Sequence, residues 1–394
     1  MRIVEINSMN FGSTGKIMLG IAEVARGAGY TIMTASPDGR TQRKNIKGNV
    51  FIGNRYERFI SDKINYYTGK QGALNVLGTY QFLKKLDEFK PDIIHLHNLH
   101  SNYINVKMLF NYINTKNIKV IWTLHDCFAF TGHCPCFDIV KCEKWKTGCY
   151  SCPMVHEYPA TSWDRSEYEY NKKKNIFTSV KDMIIVTPSC WLSKLVKESF
   201  LGKYRIEVIP NGVDLNIFHP RESKFRDKYG ISDRFIILGV AFSWEFRKGL
   251  DRFEKLANEL DERFQIVLVG ISREAVKSQK VICINKTDNQ EQLAEIYSAA
   301  DVFLNPTRED NFPTVNVEAL ACGIPVLSYG AGGSAEAFDD DSGMVVNDQN
   351  LLAVLEKLYE NSFDKKACLG RGKKFDQTDK FKEYVELYEF CTME

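Results

Sequence analysis

Residues 305–326 of this 394-residue chain read NPTREDNFPTVNVEALACGIPV, and they predict a strand, a polar loop and a helix in succession. The buried strand ends at Asn305, where the polar loop begins. The helix is predicted to begin near Pro313 or Thr314, because proline suits the first helical turn and threonine can cap it, and to end at Gly323. The N–H groups at the start of such a helix form a site for an anion.

Two carboxylates lie beside this predicted anion site. Glu318 is about one turn into the helix, where its carboxylate can accept hydrogen bonds from the vicinal hydroxyls of a ribose. Asp310 precedes the helix and faces whatever is attached to the phosphates. An acidic loop followed by an incidental helical glutamate is the alternative, but the combination favours a site for a ribose and its phosphates.

Short apolar runs alternate with helical patterns along the chain, which is typical of parallel strands joined by helices. The first series of predicted strands comprises Arg2–Ile6, Tyr30–Ala35, Ile93–Leu96, Lys119–Leu124 and Met183–Thr187. After a short strand at Ile206–Ile209, the second series comprises Phe235–Ala241, Phe264–Gly270, Val281–Asn285, Val302–Asn305 and Pro325–Ser328. Two complete series favour two doubly wound, Rossmann-like α/β domains over one large α/β domain.

The predicted domains are residues 1–210 and 211–375, and residues 376–394 are predicted to form a helix that packs back on the first domain. Two such domains that face each other create a cleft between the carboxyl ends of their strands. Open α/β sheets bind ligands at those ends, so a nucleotide-like ligand is expected in the interdomain cleft.

The stretch around Asp310 and Glu318 resembles the Glu-x7-Glu signature of retaining glycosyltransferase family four, which has the GT-B fold. Asp310 stands at the first glutamate of that signature. Four further segments resemble motifs of the same family, in the same order along the chain. They are the His-bearing loop Thr123–Asp126, the interdomain segment Ile209–Asp214, the basic clamp Phe246–Gly249 and the Gly-Gly-x-x-Glu turn Gly332–Glu336.

The resemblance implies a role for each matching residue. Glu318 would hold the ribose, and Lys248 and Arg247 would hold the diphosphate. Asp310 would hold the sugar, and His125 would hydrogen-bond the transferred sugar at the reacting centre. The remaining donor contacts would come from Gly12, Gly15, Asn311, Phe312, Pro313 and Thr314. Because basic side chains and helix dipoles would neutralise the leaving diphosphate, no divalent metal and no cofactor is expected in catalysis.

The resemblance also implies the reaction. The chain would move a sugar from a UDP- or GDP-type nucleotide sugar to a hydroxyl of a glycan or lipid-linked acceptor, with retention of the anomeric configuration. Biosynthesis of a bacterial polysaccharide, such as a lipopolysaccharide or capsule, is the expected context. The alternatives are a nucleotide-sugar epimerase on the same fold, and a non-catalytic, zinc-stapled protein that binds a glycan or nucleotide.

The glycine-rich loop Gly12–Lys16 follows the first strand. It is not a P-loop, because its glycines are too close together and Ile17 follows Lys16, so ATP hydrolysis is excluded. By resemblance it would approach the donor β-phosphate or the acceptor. A plain strand-to-helix turn is the alternative.

Three histidines lie at the end of one predicted strand. His95 is predicted to be a buried strand residue, whereas His97 and His100 are predicted to line the acceptor side. A site in which all three bind a metal is not expected, because alternate residues of a strand face opposite sides.

Six of the 11 cysteines fall between Cys127 and Cys152, in a predicted insertion of about residues 127–160. Such a cluster favours metal or redox chemistry. We expect a structural zinc ion that staples an insertion without a core of its own, and its ligands are predicted to be Cys134, Cys142, Cys149 and Cys152. Cys136 is the alternative to Cys134, and His133 is a weaker one. Unligated thiols or disulfides are the rival interpretations.

Composition and charge argue against several classes of protein. The net charge is +2, which argues against a general nucleic-acid binder. No apolar run is long enough to span a bilayer, and Glu5 interrupts any signal peptide, so a cytoplasmic protein is expected. The basic and aromatic segments 55–67 and 171–175 are either solvated helix faces or a peripheral contact with anionic lipid at the inner face of a membrane.

Overall fold

The structure is a computed structural model, and it describes residues 1–39 and 46–393. The chain forms two compact units. The first consists of residues 1–209 and 381–394, and the second of residues 210–380. The two doubly wound α/β folds predicted from the alternating patterns are confirmed.

The first unit contains a parallel sheet of seven strands in the order β3-β2-β1-β4-β5-β6-β7. These strands are β1 Arg2–Ile6, β2 Thr31–Pro37, β3 Asn49–Ile52, β4 Ile93–Leu96, β5 Lys119–Thr123, β6 Met183–Thr187 and β7 Arg205–Val208. The helices that join them are α1 Gly12–Gly27, α2 Arg55–Thr68, α3 Val76–Phe89, α4 Val106–Lys116, α5 Ser166–Phe177 and α6 Cys190–Glu198. The central strands are almost continuous runs of buried Ile and Val, as expected for a sheet covered on both faces.

The second unit contains a parallel sheet of six strands in the order β10-β9-β8-β11-β12-β13. Its strands are β8 Phe235–Val240, β9 Phe264–Val269, β10 Val281–Ile284, β11 Val302–Asn305, β12 Val326–Ser328 and β13 Gly343–Val345. Its helices are α7 Phe225–Tyr229, α8 Leu250–Glu259, α9 Gln290–Ala299, α10 Thr314–Ala321, α11 Leu351–Glu360 and α12 Lys365–Lys373. Apolar clusters pack on both faces of this sheet.

The last helix, α13 Gln377–Met393, packs on the first unit from Phe381 onward. Its buried side chains join the apolar cluster formed by β1 and α1. Gly20 of α1 makes room for it, because a Cβ atom at Gly20 would lie 2.2 Å from the ring of Phe381.

In each sheet the order of the strands reverses at one point, and two loops leave the sheet there. In the first unit β1 lies next to β4, and in the second unit β8 lies next to β11. The loops after these strands leave the same edge of each sheet toward helices on opposite faces, which is where such sheets bind ligands. The sequence motifs around Gly12, His97, Lys248 and Asp310 all lie in these four loops.

Three local predictions need correction. The short edge strands β3 and β13 were not predicted. Thr314 is the first residue of α10 rather than its cap, because Pro313 occupies the N-cap position and no side chain caps the helix. The cysteine-rich insertion does contain apolar packing of its own, since the rings of Phe130, Phe137 and Trp145 are buried against one another.

Candidate functional site

Lys248 and Asp310 form an ion pair at the reversal point of the second sheet. Lys248 follows β8, Asp310 follows β11, and the Lys248 ammonium lies 2.6 Å from an Asp310 carboxylate oxygen. The two side chains remain 23% and 16% exposed. A cation suited to a diphosphate therefore lies directly beside a carboxylate suited to sugar hydroxyls.

The backbone brings these two loops together. Gly249 has a left-handed conformation with φ of +77°, and a Cβ atom there would lie 2.4 Å from the Pro306 carbonyl oxygen. The Arg308 N–H donates to the Arg247 carbonyl at 2.8 Å. The Arg247 guanidinium donates to the Glu309 carbonyl at 3.3 Å, so in this structure it holds the loop that carries Asp310.

Glu318 is held by a residue that the sequence did not identify. The Tyr297 hydroxyl donates to a Glu318 carboxylate oxygen at 3.1 Å. Tyr297 is fully buried, and burial, together with the nearby Glu318 carboxylate, raises its pKa well above the usual value. The hydroxyl therefore keeps its proton and fixes the orientation of the half-buried Glu318 on α10.

The residues that lead into α10 differ in what they can offer a ligand. Asn311 and Thr314 are partly exposed, whereas Phe312 and Pro313 are buried. Phe312 is 5% exposed and packs against Phe375, so it can contact a ligand only through its backbone.

A glycine turn supports the Asp310 loop from the other side. The Gly333 N–H donates to the Asp310 carbonyl at 3.1 Å. Gly332 has a φ of +62°, and a Cβ atom there would lie 1.9 Å from the same carbonyl oxygen. The buried Asn316 side chain links this turn to the sheet, because its amide donates to the Ser334 carbonyl at 2.7 Å and accepts from Asn305 at 2.8 Å.

In the first unit, the two glycines of the loop after β1 have different environments. Gly12 begins α1 with φ of +67° and is exposed, with no atom within 4 Å of a Cβ position. Gly15 is buried, and a Cβ there would lie 2.7 Å from the backbone of Asn10. Gly12 can therefore reach a ligand, whereas Gly15 allows the helix to pack against its own loop.

The histidines form a buried chain of contacts. His95 contacts the Tyr388 hydroxyl at 2.6 Å and the Thr123 hydroxyl at 2.8 Å. His97 contacts His125 at 3.0 Å between ring nitrogens, and its other nitrogen lies 3.4 Å from Glu5. The side chain of His97 is 0% exposed. The prediction that His97 lines the acceptor side is therefore wrong, and it can act there only through His125.

His100 also has little free surface. Its Nε2 lies 3.3 Å from Asp126, and its Nδ1 contacts Tyr158 at 3.0 Å. His95, His97 and His100 do not form a metal site. Among residues 1–39 and 46–393, one group of three possible metal ligands has its ligand atoms within 4.8 Å of one another, and it consists of Glu5, His95 and His97. Burial raises the pKa of Glu5 and lowers that of His97, which favours the neutral form of both.

Burial also keeps His95 and His125, the other two histidines in this series of contacts, neutral. It lowers the pKa of His95 to about 3 and that of His125 to about 4. His125 is thus neutral near pH 7.

These shifts predict that acid destabilises the protein. In the unfolded chain a histidine takes up a proton near pH 6.5. In the folded protein His95 and His125 stay unprotonated until about pH 3–4. Below pH 6.5 each of them therefore lowers the free energy of unfolding by roughly 1.4 kcal/mol per pH unit. We expect His95→Gln to be less stable at pH 7.5 but to lose less stability than the wild type between pH 6 and pH 5, measured by urea denaturation.

The exposed His156 provides the control. His156→Gln should keep the wild-type slope. The raised pKa of Glu5 makes acid favour the folded state, which opposes the effect of the histidines. The prediction therefore concerns the difference in pH dependence between the variants and the wild type. Identical slopes for His95→Gln and the wild type would contradict the prediction.

The four predicted zinc ligands lie together in the first unit. Cys134, Cys142, Cys149 and Cys152 line one small cavity, and none of them is in a disulfide. They are not among the ligand atoms that lie within 4.8 Å of one another.

Family models match most of the chain. The Glycosyltransferase Family 4 model matches residues 18–217, and the Glycosyl transferases group 1 model matches residues 233–361. The chain is 25% identical over 280 residues to the putative colanic acid biosynthesis glycosyl transferase WcaC of Escherichia coli K12, which covers 68% of this chain and 66% of that protein. It is 27% identical over 322 residues to an uncharacterized 41.2 kDa protein in the cps region of Klebsiella pneumoniae, which covers 78% and 81% of the two chains.

Solved structures share the fold. Sucrose-phosphate synthase from Thermosynechococcus elongatus matches with a TM-score of 0.72 at 16% identity, over 100% of this chain and 99% of that one. Anabaena Alr3699/HepE in complex with UDP-glucose matches with a TM-score of 0.64 at 12% identity, over 99% of each chain. At these identities the likeness concerns the fold alone.

Proposed function

Because the chain belongs to glycosyltransferase family 4, we propose that it transfers a sugar from a UDP- or GDP-type nucleotide sugar to an acceptor hydroxyl, with retention of the anomeric configuration and without a divalent metal. The chain is a glycosyltransferase with the α/β GT-B fold. The observation that carries the finer proposal is the Lys248–Asp310 pair at the reversal point of the second sheet.

The diphosphate of the donor is assigned to Lys248 and to the N-terminal end of α10. A phosphate that approaches Lys248 would compete with Asp310 for the ammonium and release the Asp310 carboxylate to accept hydrogen bonds from the sugar. The N–H groups at the start of α10 add partial positive charge. Charge on the leaving diphosphate would thus be neutralised by protein groups, which is the reason to propose a reaction without a divalent metal.

The ribose is assigned to Glu318. Its carboxylate is oriented by the buried Tyr297 hydroxyl, so little side-chain entropy would be lost when ribose hydroxyls bind it. Carboxylates that accept two hydroxyl donors bind better than neutral amides in the same position, because the acceptor is charged.

The acceptor class is proposed from the relatives and from one helix. The two relatives above are named for colanic acid biosynthesis and for a cps region, which supports a surface polysaccharide as the product. No helix among the described residues is long and apolar enough to cross a membrane. On α2, however, Tyr56, Phe59 and Tyr67 are more than 60% exposed beside Arg55 and Arg58, which supports peripheral contact with an anionic lipid surface and a lipid-linked acceptor.

The donor assignment is tested by thermal shift with UDP, GDP and ADP and with their glucose conjugates. A ligand that binds the folded state at about 100 times its Kd stabilises it by ~2.7 kcal/mol, which raises the Tm. We expect one nucleotide to raise the Tm of the wild type, and we expect Glu318→Gln to weaken its binding about tenfold, since one charged hydrogen-bond acceptor contributes roughly 1.5 kcal/mol or more.

Glu295→Gln is the matched control, because Glu295 is an exposed glutamate on α9. It should bind as the wild type does. No shift with any nucleotide, or equal affinity in Glu318→Gln and the wild type, would contradict the assignment. A new sugar nucleotide formed from the donor alone would identify an epimerase, and binding without turnover would identify a non-catalytic protein.

A further inference from the structure

The segment between β5 and α5 has very little regular structure. Within residues 127–165, all of which the structure describes, the only helices or strands are two 3-10 turns at Phe128–Phe130 and Lys144–Lys146. Irregular segments of this length are uncommon inside a compact domain unless something holds them. The aromatic packing of Phe130, Phe137 and Trp145 anchors one side of the segment.

The other side is built around sulfur. Cys134, Cys142, Cys149 and Cys152 line a cavity of about 20 Å³, which is close to the space of one water-sized sphere. The thiols of Cys134 and Cys152 lie close enough to interact with each other. Four cysteine thiols that line one small cavity are the donor set of a structural zinc site, and no three of their sulfurs yet lie within 4.8 Å of one another.

Backbone N–H groups point at these sulfurs. The Gly132 N–H donates to the Cys149 sulfur at 3.2 Å, and the Met154 N–H lies near the Cys152 sulfur. The Cys149–Cys152 turn reverses through Ser151, which has a φ of +43°. N–H donors stabilise a thiolate more than a thiol, so this arrangement suits sulfurs that carry negative charge.

Two lysine side chains lie near the cluster, Lys144 in the lining of the cavity and Lys173 close enough to Cys149 to interact electrostatically. The Lys173 ammonium is buried and donates to the carbonyls of Phe128 and Thr131 at 2.9 and 3.0 Å. The Lys144 ammonium donates to the carbonyls of Tyr150 and Ser151, both at 3.0 Å. When Zn²⁺ binds four thiols, four protons leave and the centre carries a net charge of −2, which positive charge on the nearby lysines would partly offset.

The geometry points to a structural Zn²⁺ held by Cys134, Cys142, Cys149 and Cys152, which fixes the segment of residues 127–165. Cys136 does not line the cavity. His133 also borders it; its Nδ1 contacts the Gln71 amide at 3.2 Å and its buried Nε2 has no hydrogen-bond partner among the described residues, so His133 is the competing ligand that the test must exclude. Metal binding would draw the four sulfurs together to about 3.8 Å, as expected for Zn–S bonds of ~2.3 Å in a tetrahedron.

The test uses the full chain purified without chelators. Metal analysis should give one zinc per chain, and a thiol-specific mercurial should release it as four thiols react. Cys149→Ser and Cys152→Ser should contain less than a tenth of that zinc. Cys190→Ser, which changes an exposed cysteine on α6, should keep all of it.

A second measurement covers the case in which the variants do not fold. Replacing zinc by cobalt in the wild type should give the strong charge-transfer and visible bands of tetrahedral cobalt thiolate. The proposal is overturned if the folded wild type contains no metal, if mass spectrometry finds these cysteines paired in disulfides, or if His133→Ala loses the zinc while Cys142→Ser retains it.

Discussion

Lys248→Ala is expected to lower the rate of sugar transfer about 10²–10³-fold while the protein remains folded. The variant removes the cation that lies 2.6 Å from Asp310 and that we assign to the leaving diphosphate. Charge builds up on that diphosphate as the bond to the sugar breaks, so the loss should fall on kcat more than on donor binding. The measurement is the rate of nucleotide release with donor and acceptor both present, together with the Tm.

Two companion variants sharpen this experiment. Lys255→Ala removes an exposed lysine of α8 whose nearest carboxylate is 3.8 Å away, and it should leave the rate unchanged. Lys248→Arg keeps the charge but changes its shape, and we expect it to recover part of the rate. Transfer near the wild-type rate in Lys248→Ala would refute the assignment of this lysine.

Gly332→Ala is expected to cost both stability and activity, although only one methyl group is added. The left-handed backbone at Gly332 costs roughly 1–2 kcal/mol for any L-residue. The new methyl group would also lie 1.9 Å from the Asp310 carbonyl oxygen, and such overpacking costs about 1–3 kcal/mol more. To relieve the clash the Asp310 loop must move, so transfer should fall at least tenfold.

Gly230→Ala separates the two contributions. Gly230 has nearly the same φ, +64°, but a Cβ atom there meets nothing within 4 Å. It should therefore lose only the backbone contribution to the free energy of unfolding and keep its activity. If urea denaturation gives equal losses for Gly332→Ala and Gly230→Ala, and both remain active, the contact with Asp310 has no consequence.

Local patterns were sufficient for the other strands and for the entry into α10, but not for the edge strands β3 and β13. The predicted strand Ile93–Leu96 is β4 as observed, and the predicted helix start lies at Thr314, because apolar runs and prolines act within a few residues. The direct pairing of Lys248 with Asp310 could not be derived in this way. It depends on β8 and β11 being neighbours, and the order of strands in a sheet is not encoded by alternation.

The errors have the same origin. His97 was assigned to a surface because it lies near the end of a strand, but it is buried beside Glu5 and His125. Tyr388, which contacts His95, comes from a helix almost 300 residues later. Tyr297 was missed because nothing in its surroundings in α9 marks a tyrosine that will meet Glu318 of α10.

The return of the final helix to the first unit has a practical consequence. The second unit, residues 210–380, is one contiguous stretch of the chain. The other half cannot be obtained by stopping translation at residue 209, because its apolar cluster includes Phe381, Tyr384 and Tyr388. A truncation that removes residues 381–394 would therefore damage the first unit, although residues 1–209 stay intact.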